Sequence, residues 1–499
     1  MSVTRTGEER SQQTDPHRWW GLVVIALAQL MVVLDATIVN IALPSAQRSL
    51  HMSDGNRQWV ITAYTLAFGG LLLLGGRIAD LVGRKRTFVI GLVGFAAASA
   101  LGGAATSSGM LFGARALQGA FAAVLAPSAL SLLTTTFTDP RERGKAFGIY
   151  GALAGSGSAI GFIVGGLLTE YLNWRWCLYV NVPIAIVAVL GAFALLHDRP
   201  GHKGARLDVP GVVLGCGGLV AIVYGFSEAE PRGWTDPLVL GLFAGGVVLL
   251  AAFVWWQSRA PMPLLPLHIV RDRNRAGCFL TMLLATIGMF GLFLFMTYYL
   301  QGILGYSPLK TGLGFLPLTA AIIVGSTQIS ARLLQHVAPR VLMVPGMVLS
   351  AAGLMVLTRM TVDSQYSTEV LPALLLIGLG MGLTFMPVFA TATAGVAPED
   401  AGVTSATVNT SQQVGGSIGT ALLNTIATTS ATAYITAHLH SPADRARVMP
   451  AGIVHGYTVA IWWAAGVMLL AGLVAGLMVT GKAPRHGAPA QTAVREPVA

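Results

Sequence analysis

Two ionisable side chains interrupt stretches that are otherwise apolar. Asp35 lies in Val33-Leu34-Asp35-Ala36-Thr37-Ile38-Val39-Asn40-Ile41-Ala42-Leu43-Pro44, and Arg115 opens Arg115-Ala116-Leu117-Gln118-Gly119 within another apolar run. A charge at the centre of a membrane helix costs roughly 2.5–3.5 kcal/mol on insertion scales, so neither residue is expected without a task. Burial disfavours the charged form of a carboxyl group, and an approaching cation or a water-filled cavity favours it again. A carboxyl group whose surroundings alternate can therefore take a proton from one side and release it to the other. The structural alternative is an acid satisfied by Thr37, Asn40 or a neighbouring helix, holding the bundle together. Arg115 sits too deep to reach water along its own stem and must face the protein interior, where pairing with helix-end carbonyls is the competing role. Gln118 is placed to bond Arg115 from the adjacent turn or to line a cavity.

Other chemistries find no support. The 10 histidines lie mostly in loops and tails, and neither H-E-x-x-H nor G-x-x-x-x-G-K-[ST] occurs. Cys177, Cys216 and Cys278 are far apart and read as packing residues. No metal site, no cofactor and no enzymatic constellation is expected. With no nucleotide site, any pumping would have to draw on an ion gradient. One charge crossing about 100 mV supplies roughly 2.3 kcal/mol, and each pH unit about 1.4 more.

The elements that must position these residues follow from composition. The chain of 499 residues is 54% hydrophobic and only 10% charged, with mean hydropathy +0.68, against roughly 25% charged in a soluble domain. Such a chain is solvated by lipid and satisfies its backbone within helices, because the apolar runs are about 20 residues long rather than short and alternating. Fourteen spans are predicted, the first over 19–43 and the last over 456–480, with Trp19, Trp20, Trp59, Trp174, Trp176, Trp255 and Trp256 as interfacial anchors. With the amino terminus inside, twenty-two of the 31 Lys and Arg fall in inner segments and eight in outer loops, leaving Arg115 in a span. Both termini are therefore expected in the cytoplasm, by the positive-inside rule. The net charge of +10 is scattered among loops, which excludes a nucleic-acid footprint. The first apolar run is too long for a signal peptide and is expected to remain as a signal anchor.

A weak internal echo points to duplication: Arg77 and Gly91 recur 255 residues later as Arg332 and Gly346, and Pro127 has a rough counterpart in Pro387. The expected division is a cytoplasmic segment 1–18, a six-helix bundle 19–200, two linker helices 201–258, a second six-helix bundle 259–480 and a disordered tail 481–499. In parallel-repeat transporters of this kind the substrate sits between the repeats, near the membrane midplane.

Between the second and third spans runs Gly76-Arg77-Ile78-Ala79-Asp80-Leu81-Val82-Gly83-Arg84-Lys85-Arg86. Its glycines permit a tight turn, and Asp80 can pair with Arg84 or accept from a nearby helix start. This string closely resembles the loop signature of major facilitator superfamily transporters. The segment around Asp35 is similar to the first-helix signature of the fourteen-helix drug:proton antiporter branch, and Arg115 matches that family's fourth-helix arginine. The fifth span carries Gly151, Gly155, Gly157, Gly161, Gly165 and Gly166, a face suited to tight helix crossing. It resembles the family's antiporter helix, and the strings Trp174-Arg175-Trp176 and Asn181-Val182-Pro183 follow as they do there. One departure is visible: the family's Gly-Pro pair reads Gly161-Phe162, so a proline-dependent bend is missing.

The resemblance, which covers most of 19–480, implies an all-α integral membrane protein of the major facilitator fold. Its implied activity is proton-coupled efflux of a hydrophobic drug or antibiotic across the cytoplasmic membrane by alternating access, conferring resistance. Asp35 would then be the protonation site tuned by Arg115, and Gly76, Asp80, Gly83, Arg84, Lys85 and Arg86 a conformational latch. Gly151, Gly161, Gly165 and Gly166 would pack the antiporter helix. Asn40, Gln118, Phe293, Asn409 and Gln412 are candidates for the substrate cavity, Phe293 belonging to a soft stretch with Phe290, Phe295, Met296, Tyr298 and Tyr299. Glu228 near the seventh span's outer end could attract cations, but Glu230 and Arg232 beside it favour an ordinary solvated loop. The expected partners are the drug, protons and the bilayer, with the chain acting as a monomer. An importer or metabolite exporter of the same fold would share the loop string but not the glycine helix. A non-transporting membrane scaffold or enzyme would need a soluble domain or catalytic group that the chain lacks.

Overall fold

The computed structural model describes residues 18–137, 139–196, 207–396 and 400–481. The expected amino-terminal segment up to residue 17 and the tail from 482 lie outside the described residues, as does the junction at 200. Fourteen long helical segments follow in order: α1 (Arg18–Ser49), α2 (Trp59–Val82), α3 (Arg84–Gly103), α4 (Ser108–Thr136), α5 (Pro140–Tyr171), α6 (Trp176–Leu195) and α7 (Val209–Arg232). The rest are α8 (Pro237–Gln257), α9 (Arg273–Ile303), α10 (Pro308–Leu333), α11 (Arg340–Leu357), α12 (Tyr366–Thr393), α13 (Ala401–His438) and α14 (Pro442–Met478). Twelve of them are long and apolar enough to cross a membrane. The remaining two, α5 with 32 residues and α13 with 38, have the length, and both are rich in glycine, serine or threonine.

Two boundaries differ from expectation for local reasons. Helix α1 was expected to stop at Pro44, yet continues through it to Ser49, since a buried neighbourhood can offset the one bond a proline removes. The apolar segment after Pro442 is helical from Arg445, eleven residues before the span read from hydropathy, because Arg445, Arg447 and Pro450 mask it in the sequence.

The packing repeats with a shift of eight helices. Contacts α1–α5, α1–α6, α2–α4, α3–α4 and α3–α6 recur as α9–α13, α9–α14, α10–α12, α11–α12 and α11–α14. The echoed glycines take equivalent places: Gly91 of α3 lies against Leu125 of α4, and Gly346 of α11 against Gly380 and Leu383 of α12. The first six helices meet the last six along α2–α13 and α5–α10. Helix α7 lies over the α2–α13 seam. Ser227 accepts from Gln58 at 3.1 Å and Trp59 at 2.9 Å, and Thr425 donates to the Phe226 carbonyl at 2.8 Å.

The two ends of the bundle are packed differently. At the end bearing the α1–α2 turn, here the far end, one apolar cluster is shared by both halves and includes Ile38, Leu43, Phe162, Phe295, Phe315 and Tyr457. At the near end, where α1 begins and α14 stops, the halves have separate cores, one around Phe88, Phe95 and Phe137, the other around Met282, Met343 and Val388. Far-end hydrogen bonds cross the seam from Gln301 to the Ile41 carbonyl (3.0 Å), from Leu309 N to Glu170 (2.9 Å) and from Asn424 to the Asp54 carbonyl (3.0 Å). The helices therefore converge at the far end, sealing it.

Candidate functional site

Asp35 and Arg115 are brought together, fully buried, inside the first six helices. The carboxylate is 0% exposed and the arginine 1%. Arg115 Nη1 donates to Asp35 Oδ2 at 2.5 Å, and Asp35 Oδ1 accepts from Gln118 Nε2 at 3.0 Å and from Asn181 Nδ2 at 2.8 Å. Arg115 is itself held three further ways: Nε donates to the Val60 carbonyl at 2.9 Å, Nη1 to Gln118 Oε1 at 2.9 Å, and its guanidinium lies 4.4 Å from the Tyr64 ring centroid. Ser99 Oγ accepts from Gln118 at 2.5 Å and Asn181 at 2.9 Å. Five helices, α1, α2, α3, α4 and α6, thus supply one polar knot.

The physical consequence is a stabilised ion pair in a place that lipid would otherwise forbid. Hydrogen bonds from three donors offset the desolvation of the carboxylate, which a lone arginine would not achieve. The adjacent void, lined by Val39, Val60, Leu111, Trp174, Cys177 and Arg115, is about 10 Å³, about the room of one water. In this conformation Asp35 is occupied and shut away from solvent. Thr37 and Asn40, considered as its local partners, instead bond back to carbonyls of their own helix, Asn40 to Ala36 at 2.8 Å.

Other expected residues fall in several places. Gln118 belongs to the charge knot rather than to an open cavity. Asn409 bonds the Ser405 carbonyl of its own helix at 3.0 Å, and Gln412 is half-buried on α13. Phe293 does stand between the halves, its ring 5.6 Å from both Phe162 and Phe315, which stack on each other at 4.9 Å. Phe162, noticed in the sequence only as a missing proline, is the centre of that seal. Along α5, Gly157 faces Val33, Gly161 faces Leu34 and Thr37, and Gly165 faces Ile38, so one glycine edge receives α1. Gly166 points to the other half, where a Cβ would lie 2.6 Å from Leu309 Cα. The surroundings of Gly151 lie outside the described residues.

In the loop, Gly83 alone joins α2 to α3 at φ 104°, a conformation that calls for glycine. Lys85 caps the end of α6 by donating to the Leu196 carbonyl at 2.5 Å and the Phe193 carbonyl at 3.2 Å, within the same half. Arg77 reaches the Pro263 carbonyl, in the segment leading to α9, at 3.1 Å. Gly76 faces Pro127 at ordinary contact distance. The side chain of Asp80 lies outside the described residues. Glu228 pairs with Arg232 at 2.8 Å one turn on, as a rim residue would. Among the described residues no group of three or more His, Cys, Asp or Glu is gathered as a metal would need.

Two repeated helical halves, sealed at one end and separately cored at the other, with a charged knot inside one of them, have the architecture of membrane transporters built from parallel repeats. The sequence model of the Major Facilitator Superfamily matches residues 25–420, and the chain belongs to that family. The chain is 58% identical to the puromycin resistance protein of Streptomyces alboniger over 94% of this chain and 93% of that one. Identity is 41% to the cephamycin export protein of Amycolatopsis lactamdurans, over 81% and 84% of the two chains. It is 36% to the tetracenomycin C resistance and export protein of Streptomyces glaucescens, over 82% and 76%. Solved structures share the fold at low identity. A POT family peptide transporter superposes with TM-score 0.66 at 17% identity, over 95% of this chain and 99% of that one. A bacterial homologue of the lysosomal transporter Spinster gives 0.63 at 16%, over 93% and 97%.

Proposed function

We propose that the protein expels a hydrophobic antibiotic from a bacterial cell in exchange for protons, with Asp35 as the proton carrier. The observation that carries this reading is the sealed Asp35–Arg115 knot, because a buried charge maintained by five helices has a cost that packing alone does not require. Resistance and export relatives that match 81% to 94% of the chain support an antibiotic cargo. In this reading all fourteen long helices cross the cytoplasmic membrane, the near end with both termini faces the cytoplasm, and the far-end seal closes the outside. Substrate then enters between the separate near-end cores. Drug bound between the near-end cores shifts the balance toward parting the far-end contacts. An external proton then neutralises Asp35 and releases Arg115, the drug leaves, and the protonated pair favours resealing the far end, after which proton release inward resets it.

The test is export from everted vesicles under an imposed proton gradient, with and without a protonophore. Asp35→Asn keeps the volume of the side chain and should abolish gradient-driven export while folded protein remains in the membrane. Undiminished, protonophore-sensitive export by this variant would remove Asp35 from the mechanism.

A further inference from the structure

Among the groups that bond Asp35 directly, one has an idle end. Asn181 is 0% exposed, and its Nδ2 makes two bonds, to Asp35 Oδ1 at 2.8 Å and Ser99 Oγ at 2.9 Å, while its Oδ1 has no hydrogen-bond partner. The assignment of its amide is fixed by chemistry, since an ionised carboxylate accepts only and must meet the NH₂ end. A buried amide oxygen left unpaired costs roughly 1–3 kcal/mol and calls for a reason.

We propose that Asn181 reports the protonation state of Asp35, its amide turning half a revolution so that its oxygen accepts from the carboxylic O–H. This inference rests on the proton-carrier reading of Asp35. In the ionised state the NH₂ group donates and the oxygen idles. When a proton lands on Asp35, the carboxyl group becomes a donor, and the rotated amide presents to it the acceptor that was unused. The Ser99 hydroxyl, which accepts from Asn181 before the turn, donates to it afterwards. The turned NH₂ then takes the unpartnered place, a cost set against the bonds the oxygen gains from the carboxylic O–H and Ser99; the proton arrives at the Asp35 oxygen and later leaves from it. The other charged or titratable neighbours cannot do this. Arg115 has only donors to offer. Tyr64 on α2 meets the arginine through its ring face, and Cys177 is turned to Thr169 and the Gly165 carbonyl. Asn181 begins the part of α6 that runs down to the near end, and its neighbour Val180 packs against the apolar cluster that the two halves share at the far end. The turn is thus made next to the seam that must part. It is a positioning residue, acting through Asp35.

The experiment compares Asn181→Val with Asn181→Thr, near-isosteres that differ by a hydroxyl able both to donate and to accept. The infrared band of protonated Asp35, identified by its disappearance in Asp35→Asn, is titrated in purified protein, and export is followed over the same pH range. Asn181→Val loses a charge-assisted bond to the ionised form and a weaker neutral bond from the protonated one, so both midpoints should move upward by up to about one pH unit. The band of protonated Asp35, deprived of its acceptor, should move to higher frequency, with Asn181→Thr staying nearer wild type in both. Equal midpoints in all three proteins, or equal displacement in valine and threonine variants, overturn the inference. A lower export rate without a displaced midpoint assigns Asn181 a structural role and also overturns it. Should wild type show no titrating Asp35 band, the proton-carrier reading itself fails and this inference with it. Should Asn181→Val not fold, the band in Asn181→Thr alone decides, because a midpoint displaced by a full unit there contradicts the donor-and-acceptor argument.

Discussion

Two arginines are buried among the described residues, and they are buried for opposite purposes. Arg115 lies inside one half, with Asp35, Gln118, the Val60 carbonyl and the Tyr64 ring around it, and every contact comes from helices of that half. Arg57 lies in the far-end turn, 4% exposed, where the halves meet. Its guanidinium rests 3.9 Å from the ring centroid of Tyr298 in α9, and its ion pair at 3.0 Å is with Asp54, whose side chain is 63% exposed. Its Nε has no partner, and its other polar neighbours are the neutral hydroxyls of Tyr298 and Tyr457. The first site is over-determined and the second under-bonded. A group that must stay put through a transport cycle gains from many partners, whereas a contact that must part gains from few, since water can replace a cation–π contact and one exposed acid at little net cost.

The strongest test of this contrast removes the over-determined arginine. Arg115→Met leaves Asp35 without its counter-charge and should destabilise the protein by about 3–5 kcal/mol, read as a large fall in thermal midpoint and poor recovery of folded protein. Adding Asp35→Asn to the same chain should recover most of the loss, because no uncompensated charge then remains. If the double variant is as unstable as the single one, the pairing is not what holds the knot.

Arg57→Met should behave in the opposite sense. Methionine fills the stem's space and removes a guanidinium that is desolvated but only partly bonded, so stability should be unchanged or raised by roughly 1–4 kcal/mol. Transport should slow several-fold, because the closed far end becomes harder to part. Spin labels at the exposed positions Asn56 and His455, on either side of the seam, should then report a narrower distribution of short distances. A destabilisation as large as that of Arg115→Met would erase the distinction between the two sites.

This contrast was only half legible in the sequence. Asp35 and Arg115 stand out because a charge in an apolar run is costly wherever the run ends up, and Gln118, three residues from Arg115, inherits that reading from helix geometry. Ser99 carries no such signal, and Asn181 stands out only as part of the Asn181-Val182-Pro183 string, with nothing to tie it to Asp35. A serine in a span is ordinary, and only the fold brings residues 82 and 146 positions apart onto one carboxylate and hydroxyl. Arg57 reads as a loop base because its burial is produced by Tyr298 and Tyr457, which are distant in the chain. Phe162 reads as a lost proline, since its stacking partner Phe315 comes from the other half. The helices themselves were legible wherever hydropathy was unbroken, and less so at Pro44 and at Arg445, where local breakers are overruled by packing.

The gentlest probe asks whether a well-bonded carboxylate behaves alike when it sits at the near-end rim. Asp208 caps α7. Its carboxylate accepts from Gly211 N at 2.9 Å, from Trp256 Nε1 at 2.6 Å and from Gln257 Nε2 at 2.7 Å. Burial pushes this carboxyl group up, but the bonds from Gln257, Trp256 and the backbone outweigh it and hold the group below the ordinary carboxylate value. A folded-state value below the unfolded one means the contribution to stability is full above about pH 4 and is lost as pH falls through the folded value. Asp208→Asn keeps one acceptor for the cap and Trp256 but loses the charge and the acceptor that meets Gln257, so it should cost about 1–2 kcal/mol at neutral pH. Thermal midpoints of the two proteins should converge as the pH is lowered below about 4. A gap that persists unchanged at the acid end would mean that the side chain acts through shape rather than charge, and that rim acids follow a different rule from Asp35.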